Sequence, residues 1–157
     1  MQVYLITKSG YEEMEAELKQ LKQIERPAII KAIAEAREHG DLKENAEYHS
    51  AKDKQGFIEG RIIDLEGKFS RASVVEPHTI KDDKIRFGAT IKILDEGAEI
   101  ETIYKIVSEY EADVRQGRVS VSSPLARQLL GKEVDDSVEI TTPRGTKFYT
   151  VLEIKYK

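Results

Sequence analysis

The hydrophobic and polar positions divide this chain into two stretches of different period. From Tyr48 onward, Tyr48, Ala51, Gln55, Ile58, Ile62, Leu65, Phe69 and Ala72 recur in alternating steps of three and four. That is the seam of a helix lying against a second helix, with one polar residue, Gln55, in it. Upstream, Met14, Leu18, Leu21, Ile30 and Ile33 make a looser seam, interrupted around Glu25 and Pro27. A proline there predicts a kink or a restart. Ser9-Gly-Tyr-Glu12 has the form of a capping box at the start of the first helix. Gly40 separates the two periodic segments and leaves no room for a long loop, so the helices should run antiparallel. Folding the chain close to residue 42 sets Leu21 opposite Leu65, Leu18 opposite Phe69 and Met14 opposite Ala72. Each arm would be about 45 Å long at 1.5 Å per residue.

Beyond Val75 the period shortens. Pro77, His78 and Lys81-Asp82-Asp83-Lys84 read as a loop. Ile85, Phe87, Ala89, Ile91 and Ile93 then alternate as in a half-buried strand. Further strands are expected at 104–107, 119–121 and 138–140, with Phe148, Leu152, Ile154 and Tyr156 in the last and Pro143-Arg-Gly145 as the turn before it. Ser123 and Pro124 suit the N-cap and first position of a short helix that buries Leu125, Leu129 and Leu130 and closes at Gly131. The expected class is α+β in two domains. Residues 1–75 form an antiparallel coiled-coil hairpin with an acidic tip at 38–47, and residues 76–157 form a small antiparallel sheet with one short helix.

Composition narrows the function. The chain has 157 residues, with 25 Lys plus Arg against 29 Asp plus Glu, a formal charge of −4. A protein that holds nucleic acid by bulk positive charge would be basic, so any such contact is expected to be local or made inside a partner. There are no cysteines, which removes disulfides, thiolate metal sites and cysteine nucleophiles and fits a reducing cytoplasm. No apolar run approaches the roughly 20 residues of a membrane span, and the N-terminus shows no basic stretch leading into an apolar core, so neither membrane nor secretion is expected.

No phosphate-binding loop, dinucleotide fingerprint, paired-histidine zinc motif or nucleophile elbow is present. The exception is the tip, Glu38-His39-Gly40-Asp41-Leu42-Lys43-Glu44-Asn45-Ala46-Glu47. On a helix beginning at Asp41, positions 41, 44 and 47 or 48 share a face. Two carboxylates so placed offer hard oxygens in one direction, as Mg²⁺ requires. The same Asp41-x-x-Glu44 is equally a capping box, with Asp41 accepting from the amide of residue 44. His39 and His49 give no zinc spacing, since Glu44 and His49 would not share a face. Arg37, Lys52 and Lys54 flank the tip, either as solvated surface charges or as contacts for a phosphate backbone. Gly56 and Gly60 are unusual inside a strong heptad. They are either tolerated, or something packs closely there.

The run Ile33-Ala-Glu-Ala-Arg37-Glu-His-Gly-Asp41-Leu-Lys-Glu44-Asn-Ala-Glu-Tyr48, its continuation Gly56-Phe-Ile-Glu-Gly60-Arg-Ile, and Ser123-Pro-Leu-Ala126 with Leu130-Gly-Lys132 closely resemble the bacterial Gre transcript cleavage factors over essentially the whole chain. The resemblance implies that residues 76–157 are similar to FK506-binding proteins in fold. It implies a cytoplasmic, monomeric accessory factor for transcription elongation, not an enzyme in its own right, with nucleic-acid binding extending to DNA as well as RNA. The hairpin would enter the secondary channel of bacterial RNA polymerase and stimulate cleavage of backtracked RNA 3′ ends. Asp41 and Glu44 would help hold a second Mg²⁺, shared with the polymerase and weakly bound by the free protein, and position the water. Arg37 and Lys52 would meet the extruded RNA, and Ser122, Ser123 and Pro124 the polymerase. One departure stands out: Asp135-Asp136 occupies a place where many relatives have Gly-Asp. Two other classes stay in view, a peptidyl-prolyl isomerase and a channel binder that does not promote cleavage. The first needs an aromatic-lined pocket, and fold alone does not carry its activity.

Overall fold

The computed structural model describes residues 2–157. Tyr11–Ala72 form most of one compact unit, and Tyr4–Gly10 with Ser73–Lys157 form the other. The helical reading of residues 1–75 therefore gains strands at both ends: β1 (Tyr4–Thr7) and β2 (Ala72–Val75) pair in a two-stranded sheet.

The hairpin is built from α1 (Lys8–Gln20), α2 (Arg26–Arg37) and α3 (Ala46–Arg71). Thr7, rather than Ser9, caps α1: its hydroxyl oxygen accepts from the Gly10 amide at 3.2 Å. Pro27 does not break the first arm. A π-turn at Leu21–Glu25, closed by the Arg26 amide on the Leu21 carbonyl, leads directly into α2, and this widened turn takes in Pro27, which has no N–H to give. This turn carries one extra residue and shifts the heptad phase by one. The buried series Met14, Leu18, Leu21 therefore continues as Ile29, Ile33, Ala36, and Ile30 is 53% exposed. The opposing seam is as expected, with Ile58, Ile62 and Leu65 buried. Tyr11 stacks on Phe69 with ring centroids 4.6 Å apart.

A two-helix seam buries little, and ion pairs flank it. Arg26 donates two bonds to Glu59, at 2.7 and 2.8 Å, and Arg61 two to Glu17, at 2.6 and 3.0 Å. Forked guanidinium–carboxylate pairs fix geometry as well as charge. The bond from Arg26 holds the Glu59 carboxyl below its ordinary pKa. No atom lies within 4 Å of a Cβ added at Gly56 or Gly60, so no packing among the described residues accounts for these glycines.

The second unit carries a five-stranded sheet in the order β5-β4-β3-β7-β6. Its strands are β3 (Thr90–Asp95), β4 (Ile100–Val107), β5 (Arg118–Ser120), β6 (Ser137–Thr142) and β7 (Gly145–Lys155). The sheet is mixed rather than wholly antiparallel, because β5 runs parallel to β4. Helix α4 (Pro124–Leu129) puts Ala126 and Leu129 into a core with Ile85, Ile91, Ile93, Ile106 and Val151. The Ile85–Ala89 stretch precedes β3 and still buries Ile85, Phe87 and Ala89. In β7 the register slips opposite Lys92 and Ile93, where Glu153 and Val151 are the successive partners. That bulge reverses the side-chain alternation. Val151 is fully buried and Phe148 is 48% exposed, where the simple alternation expected Phe148 inside. Asp135 takes φ +75°, the left-handed conformation that glycine adopts most readily and aspartate tolerates better than most residues.

Candidate functional site

The hairpin tip is a loop, residues 38–45, and its shape comes from side chains binding backbone. Helix α2 ends as the amides of Glu38 and His39 reach the carbonyls of Glu35 and Ala36, at 3.2 and 3.1 Å. Gly40 follows at φ +111°, a conformation other residues adopt only with strain. Helix α3 starts five residues later than a helix beginning at Asp41 would. Its N-cap is Asn45, whose side-chain oxygen accepts from the Tyr48 amide at 3.0 Å, while its amide nitrogen donates to the Ala36 carbonyl at 2.6 Å. Asn45 thus caps one helix and clasps the end of the other. The sequence carried this signal, an N-cap residue with Glu47 in the following first turn. Asp41 competes for the role only through its spacing to Glu44.

The Asp41–Glu44 capping box is not formed. Asp41 instead accepts from the Lys43 amide, two residues on, at 2.9 Å. Such a turn holds the carboxylate with one oxygen and leaves the other free. The Lys43 carbonyl accepts from His49 Nε2 at 3.2 Å. Glu44 is exposed, and among the described residues neither Asp41 nor Glu44 is ion-paired. The loop still brings the two together: Asp41, Glu44, His39, Asn45, Ala46 and Glu47 line one open concavity of about 420 Å³. Glu38 lies outside it. His39 reaches Glu47 across it at 3.7 Å, a pairing the helical reading of this segment did not contain.

The chemistry of the site follows from this donor set. Two free carboxylates give hard, anionic oxygens suited to Mg²⁺, but Mg²⁺ demands six ligands and commonly keeps several waters. No three His, Cys, Asp or Glu side chains among the described residues are grouped so as to hold a metal ion by themselves. The pair fits part of a coordination shell, to be completed by water or by a second molecule.

The basic residues stand nearby on the helices. The Arg37 guanidinium lies 5.7 Å from the centre of the Tyr48 ring, a cation–π contact that joins the end of α2 to the start of α3. Lys52 is exposed on α3 and donates to Gln55 at 3.1 Å, leaving its charge unneutralised. Ser122, Ser123 and Pro124 belong to the second unit. Ser123 is the N-cap of α4, accepting from the Ala126 amide at 3.2 Å, and Pro124 opens that helix exposed to solvent. Ser122 donates to Glu109 at 2.8 Å, a partner the sequence did not suggest.

Comparison with known proteins then covers both halves. Residues 4–74 match the family described as "Transcription elongation factor, N-terminal", and residues 80–156 match "Transcription elongation factor, GreA/GreB, C-term". The chain is 59% identical over 151 residues to the transcription elongation factor GreA of Jannaschia sp. (strain CCS1), covering 96% of each chain. It is 56% identical over the same span to that of Ruegeria pomeroyi, again with 96% of each covered. Among solved structures, the GreA factor homolog 1 of Thermus thermophilus is 27% identical, with 98% of this chain and 99% of that one covered and a TM-score of 0.46.

Proposed function

This chain belongs to the GreA/GreB family of transcription elongation factors, and from that premise we propose how it acts. As a transcript cleavage factor it stimulates RNA polymerase to hydrolyse the 3′ end of backtracked RNA. The hairpin enters the polymerase secondary channel, and the tip completes a second metal site at the polymerase active centre. The chain supplies two carboxylates and the polymerase the rest, so this protein is an accessory factor and not a nuclease.

The observation that carries the reading is the pair of uncommitted carboxylates, Asp41 and Glu44, around one open concavity at the turn of the hairpin. A Mg²⁺ bound there would activate water and offset charge developing on the phosphate. Asp41, steadied by the Lys43 amide, keeps one oxygen for the ion. Glu44 provides a second anionic ligand, or accepts a proton from the attacking water through a hydrogen bond. Arg37 and Lys52 face the extruded RNA as cations, while Ser122, Ser123 and Pro124 contact the polymerase. The factor works as a cytoplasmic monomer. No helix among the described residues is long and apolar enough to cross a membrane.

The test is cleavage of labelled RNA in a stalled, backtracked elongation complex, comparing the protein with Asp41→Ala/Glu44→Ala and with a reaction lacking polymerase. We expect shortening that requires both polymerase and carboxylates, and a loss of at least about a hundredfold in the double variant, the scale set by removing a metal-site or general-base group. Undiminished cleavage by the variant overturns the assignment of the two carboxylates. Binding without any cleavage by the unmodified protein points to a channel plug.

A further inference from the structure

Beyond the segment Ser122–Pro124, we infer that Glu109 is a positioning residue of the polymerase-docking surface, acting by fixing the hydroxyl of Ser122. The inference rests on the docking role proposed above. Ser122 donates to Glu109 Oε1 at 2.8 Å. Its oxygen also lies 2.8 Å from the Ser120 oxygen, and its amide donates to that same Ser120 oxygen at 3.2 Å. A carboxylate can only accept, and a serine has one hydroxyl proton. With the Ser122 proton committed to Glu109, Ser120 must be the donor of the pair. The three groups thus form a directed chain, from Ser120 to Ser122 to Glu109.

This direction decides what Ser122 can offer a partner. Its oxygen keeps acceptor capacity and has no proton left to give, so the matching group on the polymerase is a donor: an N–H, a hydroxyl or a cation. Glu109 is exposed, and among the described residues its other oxygen has no hydrogen-bond or ion-pair partner, so the patch as a whole presents acceptors. Ser123 contributes differently, because its side-chain oxygen is taken up by the Ala126 amide. Removing Glu109 would free the Ser122 hydroxyl to turn, and ordering it again on binding would weaken the complex.

The experiment measures, for full-length protein, both binding to RNA polymerase and cleavage in backtracked complexes as the factor concentration is raised. Glu109→Ala is expected to raise the half-saturating concentration roughly threefold to tenfold, the size of one ordinary hydrogen bond, with the plateau rate unchanged. Ser122→Ala, which also removes the acceptor itself, is expected to cost at least as much, and the double variant no more than Ser122→Ala alone. Glu109→Gln, which still offers an oxygen to Ser122, should stay near the unmodified protein. Additive losses, a changed plateau, or an indifferent Glu109→Ala overturn the inference while leaving the cleavage-factor reading intact. Failure of the unmodified protein to bind polymerase overturns both.

Discussion

Two acidic loops of this molecule use the same functional group in opposite ways. At 108–112, Glu111 is buried and fully engaged. It accepts from the Thr7 amide at 3.2 Å, from the Ser108 amide and hydroxyl at 3.3 and 2.8 Å, and from the Thr7 hydroxyl. Gly10 makes room for it: a Cβ there would sit 2.2 Å from the Glu111 carboxyl carbon. At 38–45, Asp41 accepts one backbone bond, and Glu44 is exposed without an ion pair. A buried carboxylate must be saturated with donors, because an unmatched charge in the interior is severely penalised. An exposed one has no such requirement and retains its valence for a partner. The buried loop binds Thr7 and is seated beside Gly10 within a single unit, while the exposed loop is shaped by side chain–backbone bonds and leaves carboxylate oxygens uncommitted. Structural and functional acids are thus told apart by how many of their lone pairs the chain itself occupies.

The largest test of this contrast is Glu111→Ala. It strands several donors at once, at about 1–3 kcal/mol for each one that water cannot reach, so the variant should be destabilised by about 3 kcal/mol or more in urea unfolding. Asp41→Ala/Glu44→Ala should stay within about 0.5 kcal/mol of the unmodified protein, as exposed substitutions usually do. Equal losses in the two would erase the distinction.

Asn45→Ala should have an intermediate effect. It removes the cap of α3 and the clasp on Ala36, a loss of about 1 kcal/mol by the usual worth of an N-cap. Cleavage stimulation should fall as well, although no carboxylate is touched, and Asn45→Asp should restore the cap but not the donor to Ala36. A variant that keeps full activity would show that the loop's shape does not depend on this residue.

The smallest effect is electrostatic and belongs to the hairpin seam. Arg26 donates to Glu59 and depresses its pKa relative to the unfolded chain. The stabilisation is present above the ordinary carboxylate range and is lost as pH falls through the folded value. Thermal melts of the unmodified protein and Glu59→Gln should therefore differ slightly near neutrality and converge in acid. A gap that widens on acidification would contradict the sign. Added salt should also narrow it, because the half-buried pair is still reached by solvent.

Much of this architecture was legible in the pattern of residues. The seam Ile58, Ile62, Leu65 needed only period and spacing, since an amphipathic helix must bury its apolar stripe wherever it packs. The cap at Ser123 and the acidic tip were visible for similar reasons, because each depends on neighbours a few residues away. Periodicity failed where a single residue was inserted. The π-turn at Leu21–Glu25 carries the first arm's seam on through Ile29, Ile33 and Ala36 and leaves Ile30 outside it, and the bulge in β7 turned Phe148 outward and Val151 in. Neither insertion leaves a mark in composition. Each is chosen because it keeps two surfaces in register, and that is settled by the element packed opposite.

The sequence by itself determined the two-part plan, the family and the identity of the acidic residues at the hairpin's turn. Those depend on local spacing and on residue types that only one arrangement uses well. The tertiary structure decided which of those acids are free. It placed Asn45 rather than Asp41 at the cap, gave Glu111 its donors from Thr7, 104 residues away, and linked Ser122 to Glu109. Whether a polar group is satisfied depends on atoms distant in the chain, and only the folded molecule brings them within hydrogen-bonding range.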